Sequence, residues 1–139
     1  MADHAKSDSP AVQAQLDRLT ALSPGRDVLG LERITALCAR LSNPQDRLPP
    51  VFHVAGTNGK GSTSAMLQAI CSRAGYRTGL YTSPHLLSFR ERIRVGSRSI
   101  SERDVVGDAF AVRAAAEKVG VDLTFFEIAT SMAFLEFRR

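Results

Sequence analysis

The sequence has no apolar stretch of the ~18 to 20 residues needed to cross a bilayer, and its segment from Met1 to Pro10 is polar. We therefore expect a cytoplasmic protein with no membrane partner. Cysteine is also scarce: Cys38 and Cys71 form no CxxC pair and have no neighbouring histidine. This spacing argues against a zinc site and a redox motif, and predicts that both cysteines are small core residues.

The sequence has only a small excess of positive charge: it contains 18 Lys and Arg and 14 Asp and Glu, for a net charge of +4. The densest basic stretch runs from Arg90 to Arg98, where Glu91 interrupts the arginines and little aromatic sequence beyond Phe89 accompanies them. Single-stranded nucleic acid is bound by basic residues combined with aromatic stacking platforms. We therefore expect no nucleic-acid partner, and interpret the stretch as a solvated strand with alternating arginines.

The composition that remains, 44% hydrophobic and 23% charged, is that of an ordinary globular domain. Apolar residues at helical spacing predict one helix from Val12 to Leu22 and a second from Leu31 to Leu41, ended by Asn43-Pro44. We expect these helices to form an N-terminal cover over residues 1–49. Residues 50–139 are expected to form the second unit.

That second unit begins with a short apolar run, Val51 to Ala55, which predicts a buried strand leading into glycine-rich sequence. A helical face from Met66 to Ala74 and a strand from Thr78 to Thr82 follow. Strand, helix and strand within about 30 residues form a βαβ unit with parallel strands. The predicted fold class is therefore α/β, a P-loop-type parallel sheet with flanking helices, preceded by the N-terminal helical segment.

Further along, Glu91 to Val95 predicts an edge strand that turns at Gly96. Ser101 is expected to begin a helix that ends at Gly120. Thr124 and Glu127 have the spacing of a capping box at the start of a last helix, which is apolar on almost every face. We expect that helix to lack part of its cover, so that the 139-residue chain alone is marginally folded and self-associates.

The chemistry is concentrated in the segment from Gly56 to Thr63, GTNGKGST, between the first strand and its helix. Its glycines allow backbone N–H groups to face an anion, the helix N-terminus adds its positive dipole end, and Lys60 adds a full charge. A hydroxyl from Ser62 or Thr63 can reach Mg²⁺. The loop departs from G-x-x-x-x-G-K-[ST], because Val54 holds the first glycine position and Gly61 is inserted after Lys60. We predict that it binds nucleotide phosphates.

These residues resemble a known family. AGTNGKGSTSAML and AGYRTGLYTSPHLLSFRERIRV, together with LGLERI at Leu29 and LTFFEIAT at Leu123, are similar to folylpolyglutamate synthase and dihydrofolate synthase, of the Mur ligase superfamily. The resemblance implies ATP-dependent amide-bond formation, in which a carboxylate of dihydropteroate or a folate is phosphorylated to an acyl phosphate and then attacked by L-glutamate. The substrates that the resemblance implies are thus ATP, L-glutamate and dihydropteroate or a folate. The parent enzyme is expected to be a monomer.

The resemblance also implies roles for individual residues. ATP would be bound by Thr57, Asn58, Gly59, Lys60, Gly61 and Ser62, with Lys60 also catalytic. Mg²⁺ would be bound by Ser83 and Ser62. The pteroate or folate would be bound by Asp27, Val28, Leu29, His85, Thr124, Phe125, Phe126 and Glu127. Helix capping explains Thr124 and Glu127 equally well, and core packing explains the two phenylalanines.

The resemblance places a second magnesium carboxylate and a glutamate-binding C-terminal domain beyond Arg139. We therefore expect this chain to be the N-terminal part of the ligase and inactive by itself. Two other classes stay open: a nucleotide-binding module without chemistry, and a different Mur-type amide ligase. A P-loop kinase or GTPase is disfavoured by the Ser83-Pro84-His85 loop and by the lack of a guanine-recognition signature.

Overall fold

The computed structural model describes residues 6–21, 30–120 and 122–139. Its helices are α1 (Pro10–Ala21), α2 (Glu32–Arg40), α3 (Lys60–Arg73), α4 (Glu102–Val119) and α5 (Phe125–Phe137). Its strands are β1 (Gly79–Tyr81), β2 (Ile93–Val95) and β3 (Arg98–Ser99), and short 3-10 helices span Pro44–Arg47 and Phe89–Arg92. In this described part of the chain, no helix is long and apolar enough to cross a membrane.

The helix ends follow local sequence signals. The Ser101 hydroxyl accepts a hydrogen bond from the Asp104 N–H and begins α4, which ends at Gly120 in the left-handed conformation. Thr124 begins α5 with a complete capping box closed by Glu127. These three predicted helix ends are confirmed.

Four helices share one hydrophobic core, in which α1 and α2 pack against α4 and α5. The fully buried apolar side chains of this core include Val12, Leu16, Leu37, Val105, Val112, Ile128 and Met132. α5 is better covered than expected, because Ile128, Ala129, Met132 and Ala133 are buried, and the expectation of missing cover holds at Phe126, which is 56% exposed. A helix that is apolar all round is stable when neighbours surround it, and here α1, α2 and α4 do so.

The sheet is small and antiparallel, in the order β1-β2-β3. Gly79 pairs with Val95 and Tyr81 with Ile93, and the β2–β3 hairpin turns at Gly96. The predicted parallel pairing of residues 51–55 with residues 78–82 is therefore wrong for the described residues, where residues 51–55 form no strand. A strand needs a neighbour to satisfy its N–H and C=O groups, and β1 uses β2 instead.

Residues 51–55 and α3 expose large apolar side chains, although both segments were expected to pack in the sheet. Phe52 is 71% exposed, and α3 contains no buried residue, with Met66 and Ile70 facing solvent. Polar contacts attach α3 to the sheet: the Gln68 side chain donates to the Gly96 carbonyl at 2.6 Å. The expected βαβ packing is thus absent among the described residues, and α3 is attached to the sheet by polar contacts instead.

Candidate nucleotide and substrate site

The segment from Gly56 to Thr63, called the phosphate loop below, runs into the first turn of α3. Gly59, with a φ of 76°, precedes the helix, and no side chain caps it. The first intrahelical bond runs from the Thr63 N–H to the Gly59 carbonyl at 2.9 Å. The N–H groups of Lys60, Gly61 and Ser62 are therefore the free donors of the first turn, at the positive end of the helix dipole. This is the geometry that an anion requires.

Lys60 folds back over this loop. Its ammonium donates to the Gly56 carbonyl at 2.7 Å and to the Thr57 carbonyl at 3.4 Å. All residues from Thr57 to Ser62 are exposed. A Cβ built on Gly59 or Gly61 would have nothing within 4 Å, so there is open space beside both glycines. The six predicted nucleotide-binding residues therefore form one accessible surface.

Ser83 lies in the loop that follows β1 and is exposed, and its peptide bond to Pro84 is cis. Among the described residues, no group of three or more His, Cys, Asp or Glu side chains could hold a metal ion. Mg²⁺ usually has few protein ligands and completes its shell with water and substrate phosphates. Exposed hydroxyls at Ser62 and Ser83 fit that mode of binding.

Glu91 organises the rest of this loop. Its carboxylate accepts hydrogen bonds from the backbone N–H groups of Leu86, Leu87 and Ser88, at 2.9, 3.1 and 2.9 Å. The bond from Leu86, with those from its two neighbours and the proximity of His85, lowers the pKa of the Glu91 carboxyl. The loop is therefore held by an ionised side chain.

A buried arginine connects two of the predicted substrate residues. Arg92 is 1% exposed, and its Nε donates to His85 Nδ1 at 2.9 Å. Its guanidinium carbon lies 5.6 Å from the ring centroid of Phe125 and 5.9 Å from that of Phe89. The interpretation of the arginine stretch as a solvated strand is wrong here, because residues 89–92 form a 3-10 helix whose Arg92 points into the protein.

Thr124 and Glu127 have structural partners. The Glu127 carboxylate accepts from the Thr124 N–H at 2.7 Å, and its other oxygen lies 3.0 Å from the Arg33 guanidinium on α2. Phe126 is exposed and packs near Tyr81, at 6.2 Å between ring centroids. Of these residues, Phe126 presents the most surface to a ligand.

The predicted residues Asp27, Val28 and Leu29 lie outside the described residues. Sequence reasoning missed Glu91 and Arg92. A signal for Glu91 was present, because Ser88 and Glu91 have the Ser-x-x-Glu spacing of a capping box. Nothing in the local sequence distinguished the buried Arg92 from the arginines around it.

A comparison with models of protein families gave no match. Among curated proteins, the dihydrofolate synthase/folylpolyglutamate synthase of Escherichia coli is 40% identical over 111 residues, covering 80% of this chain and 26% of that protein. The dihydrofolate synthetase of Saccharomyces cerevisiae is 36% identical over 109 residues, covering 78% and 25%. The chain thus spans about a quarter of the length of these relatives.

Solved structures show the same likeness. E. coli FolC in complex with DHPP and ADP superposes with a TM-score of 0.81 and 37% identity, over 94% of this chain and 31% of that one. The folylpolyglutamate synthetase of Lactobacillus casei gives a TM-score of 0.82 and 32% identity, over 91% and 33%. The α/β class is confirmed. In sequence and in fold, the chain is similar to part of the dihydrofolate synthases/folylpolyglutamate synthases.

Proposed function

We propose that the chain supplies the nucleotide-phosphate loop and part of the pteroate or folate site of an ATP-dependent ligase that adds L-glutamate to dihydropteroate, to folates, or to both. The observation that carries this proposal is the uncapped and exposed N-terminus of α3, with Lys60 beside it. Backbone N–H groups and a lysine at such a terminus suit a nucleotide phosphate.

The names of the relatives support the substrate class. The E. coli structure contains DHPP and ADP, and a bifunctional folylpolyglutamate synthase/dihydrofolate synthase contains Mn, AMPPNP and L-glutamate. We assign the pteroyl part of the acceptor to His85 and to the start of α5, with Asp27 to Leu29. Phe126 and the half-buried Phe125 offer aromatic surface to a flat ring.

The contribution to catalysis that we propose for this chain is electrostatic. Phosphoryl transfer to a carboxylate concentrates negative charge on the transferring group, and catalysis depends on positioning and charge stabilisation. Lys60 and the first N–H groups of α3 supply fixed positive charge at the loop. Ser62 and Ser83 would hold Mg²⁺, which neutralises phosphate charge when it is bound.

A chimera tests the proposal. This chain replaces the matching segment of the E. coli relative, and ADP formation is followed with ATP, dihydropteroate and L-glutamate. We expect ADP formation that requires both co-substrates, and its loss in Lys60→Ala. Lys118→Ala, an exposed lysine on α4, is the matched control and should keep it. A chimera that binds ATP but forms no ADP with both co-substrates present would instead support a nucleotide-binding module without chemistry.

A further inference from the structure

Arg92 contacts two segments that are far apart in the chain and that are both assigned to the acceptor substrate. Its Nε donates to His85, in the loop after β1, and its guanidinium lies over the ring of Phe125, in the first turn of α5. The ring of Phe89 completes the cluster, with its centroid 6.0 Å from that of Phe125 and 6.4 Å from that of His85. Arg92 therefore bridges the two segments.

Burial separates the members of this cluster into two layers. Arg92 and Phe89 are buried, whereas His85 and Phe125 are half-buried and present part of their surface to solvent. A ligand can therefore touch His85 and Phe125 while Arg92 stays behind them. A displacement of the Arg92 guanidinium would move the half-buried rings of His85 and Phe125.

Arginine is suited to this position for a geometric reason. Its planar guanidinium can donate from Nε in the plane while its flat faces lie against aromatic rings. A lysine at the same place would keep the charge but lose the directed bond to His85 and the stacking.

We propose that Arg92 is a positioning residue that holds His85 and Phe125 at a fixed separation for a planar aromatic acceptor, the pteroyl group. This inference rests on the proposed function and deepens it. It predicts that Arg92 affects acceptor binding through His85 and Phe125, and that nucleotide binding at α3 is independent of it.

The test uses the whole 139-residue chain and calorimetric titration with dihydropteroate and, separately, with ATP·Mg²⁺. Arg92→Lys should weaken dihydropteroate binding by about tenfold and leave ATP affinity within about twofold. Arg98→Lys, at an exposed arginine on β3, is the matched control and should change neither. In a His85→Ala background, Arg92→Lys should weaken dihydropteroate binding further by about threefold at most, because the part of its effect that passes through His85 is already lost.

Should Arg92→Lys fail to fold, Phe89→Leu removes one stacking face and leaves the guanidinium in place; it should likewise weaken dihydropteroate binding and spare ATP binding. Equal dihydropteroate affinity in wild type and variant would overturn the inference, as would additive effects of the Arg92 and His85 substitutions. A wild-type chain that binds ATP but not dihydropteroate would contradict the proposed function, in which this chain binds the acceptor. It would also contradict the pteroyl ligand inferred here.

Discussion

The ring of Phe137 packs directly against Gly79, so that a Cβ built on Gly79 would lie 2.7 Å from its Cδ1 atom. This contact joins β1 to the last turn of α5. We expect Gly79→Ala to lower the free energy of unfolding by about 1 to 3 kcal/mol, because neither the strand nor the ring can move without disturbing its neighbours. Urea denaturation measures this difference, and Phe137→Leu should recover part of it by making room.

Gly107 on α4 is the matched control for that substitution. A Cβ at Gly107 would have nothing within 4 Å, and no positive φ constrains the position. Gly107→Ala should therefore stabilise the protein by roughly 0.5 to 1 kcal/mol. If both alanine variants shift the urea midpoint in the same direction, the contact with Phe137 is not the cause.

The buried carboxyl of Asp108 makes stability depend on pH. Burial raises its pKa from 3.8 to about 6, although the Arg139 guanidinium, 2.5 Å away, acts in the opposite direction. Between these two pH values the folded protein holds a proton that the unfolded chain has released. The contribution of Asp108 to stability is thus fully present below pH 3.8 and is lost as the pH rises to about 6.

The measurement is the unfolding free energy of wild type minus that of Asp108→Asn, at several pH values. The difference should fall by about 3 kcal/mol between pH 3.8 and about pH 6 and be flat above. A difference that rises with pH over this interval would mean that the ion pair with Arg139 outweighs burial.

Thr124 allows helix capping to be separated from substrate binding. Its hydroxyl accepts from the Glu127 N–H at 3.2 Å, so Thr124→Ala should destabilise the protein by about 1 kcal/mol, whereas Thr124→Ser should retain the cap. Thermal unfolding and dihydropteroate titration are measured on both variants. Unchanged stability together with weaker dihydropteroate binding in Thr124→Ala would assign the residue to the substrate instead.

The exposed apolar surface of residues 51–55 and α3 should make the 139-residue chain bind a hydrophobic dye and self-associate. We expect the combined Phe52→Gln and Ile70→Gln substitutions to reduce dye fluorescence and the apparent mass in light scattering. Phe110→Gln, at an exposed phenylalanine on α4, should change them less. We also expect no dihydrofolate from dihydropteroate, L-glutamate and ATP with the chain alone. A wild-type chain that stays monodisperse, binds no dye or shows measurable turnover would contradict this expectation.

The structural features that the sequence predicts correctly here are local ones. The cap at Ser101, the capping box at Thr124 and the turn at Gly96 depend on residues within four positions of one another, and all three appear in the structure. The phosphate loop is similarly local, because its glycines and lysine are contiguous with the start of α3.

What the sequence did not predict depends on contacts between distant residues. The partner of β1 and the burial of α5 are decided by which segments meet, and an apolar run such as Val51 to Ala55 carries no information on that choice. Arg92 is the clearest case. It lies among arginines of similar spacing, whereas its burial depends on the rings of Phe89 and Phe125 and on the bond to His85.

The most direct test of the account is calorimetric titration of ATP·Mg²⁺ into the wild-type chain, Lys60→Ala and the control Lys118→Ala. Lys60 is the charged side chain at the loop carbonyls of Gly56 and Thr57, and a charge-assisted phosphate contact contributes about 1.5 to 3 kcal/mol. We expect Lys60→Ala to weaken ATP binding by about tenfold or more, and Lys118→Ala to match wild type. Equal affinities for wild type and Lys60→Ala would contradict the claim that this loop binds the nucleotide phosphates.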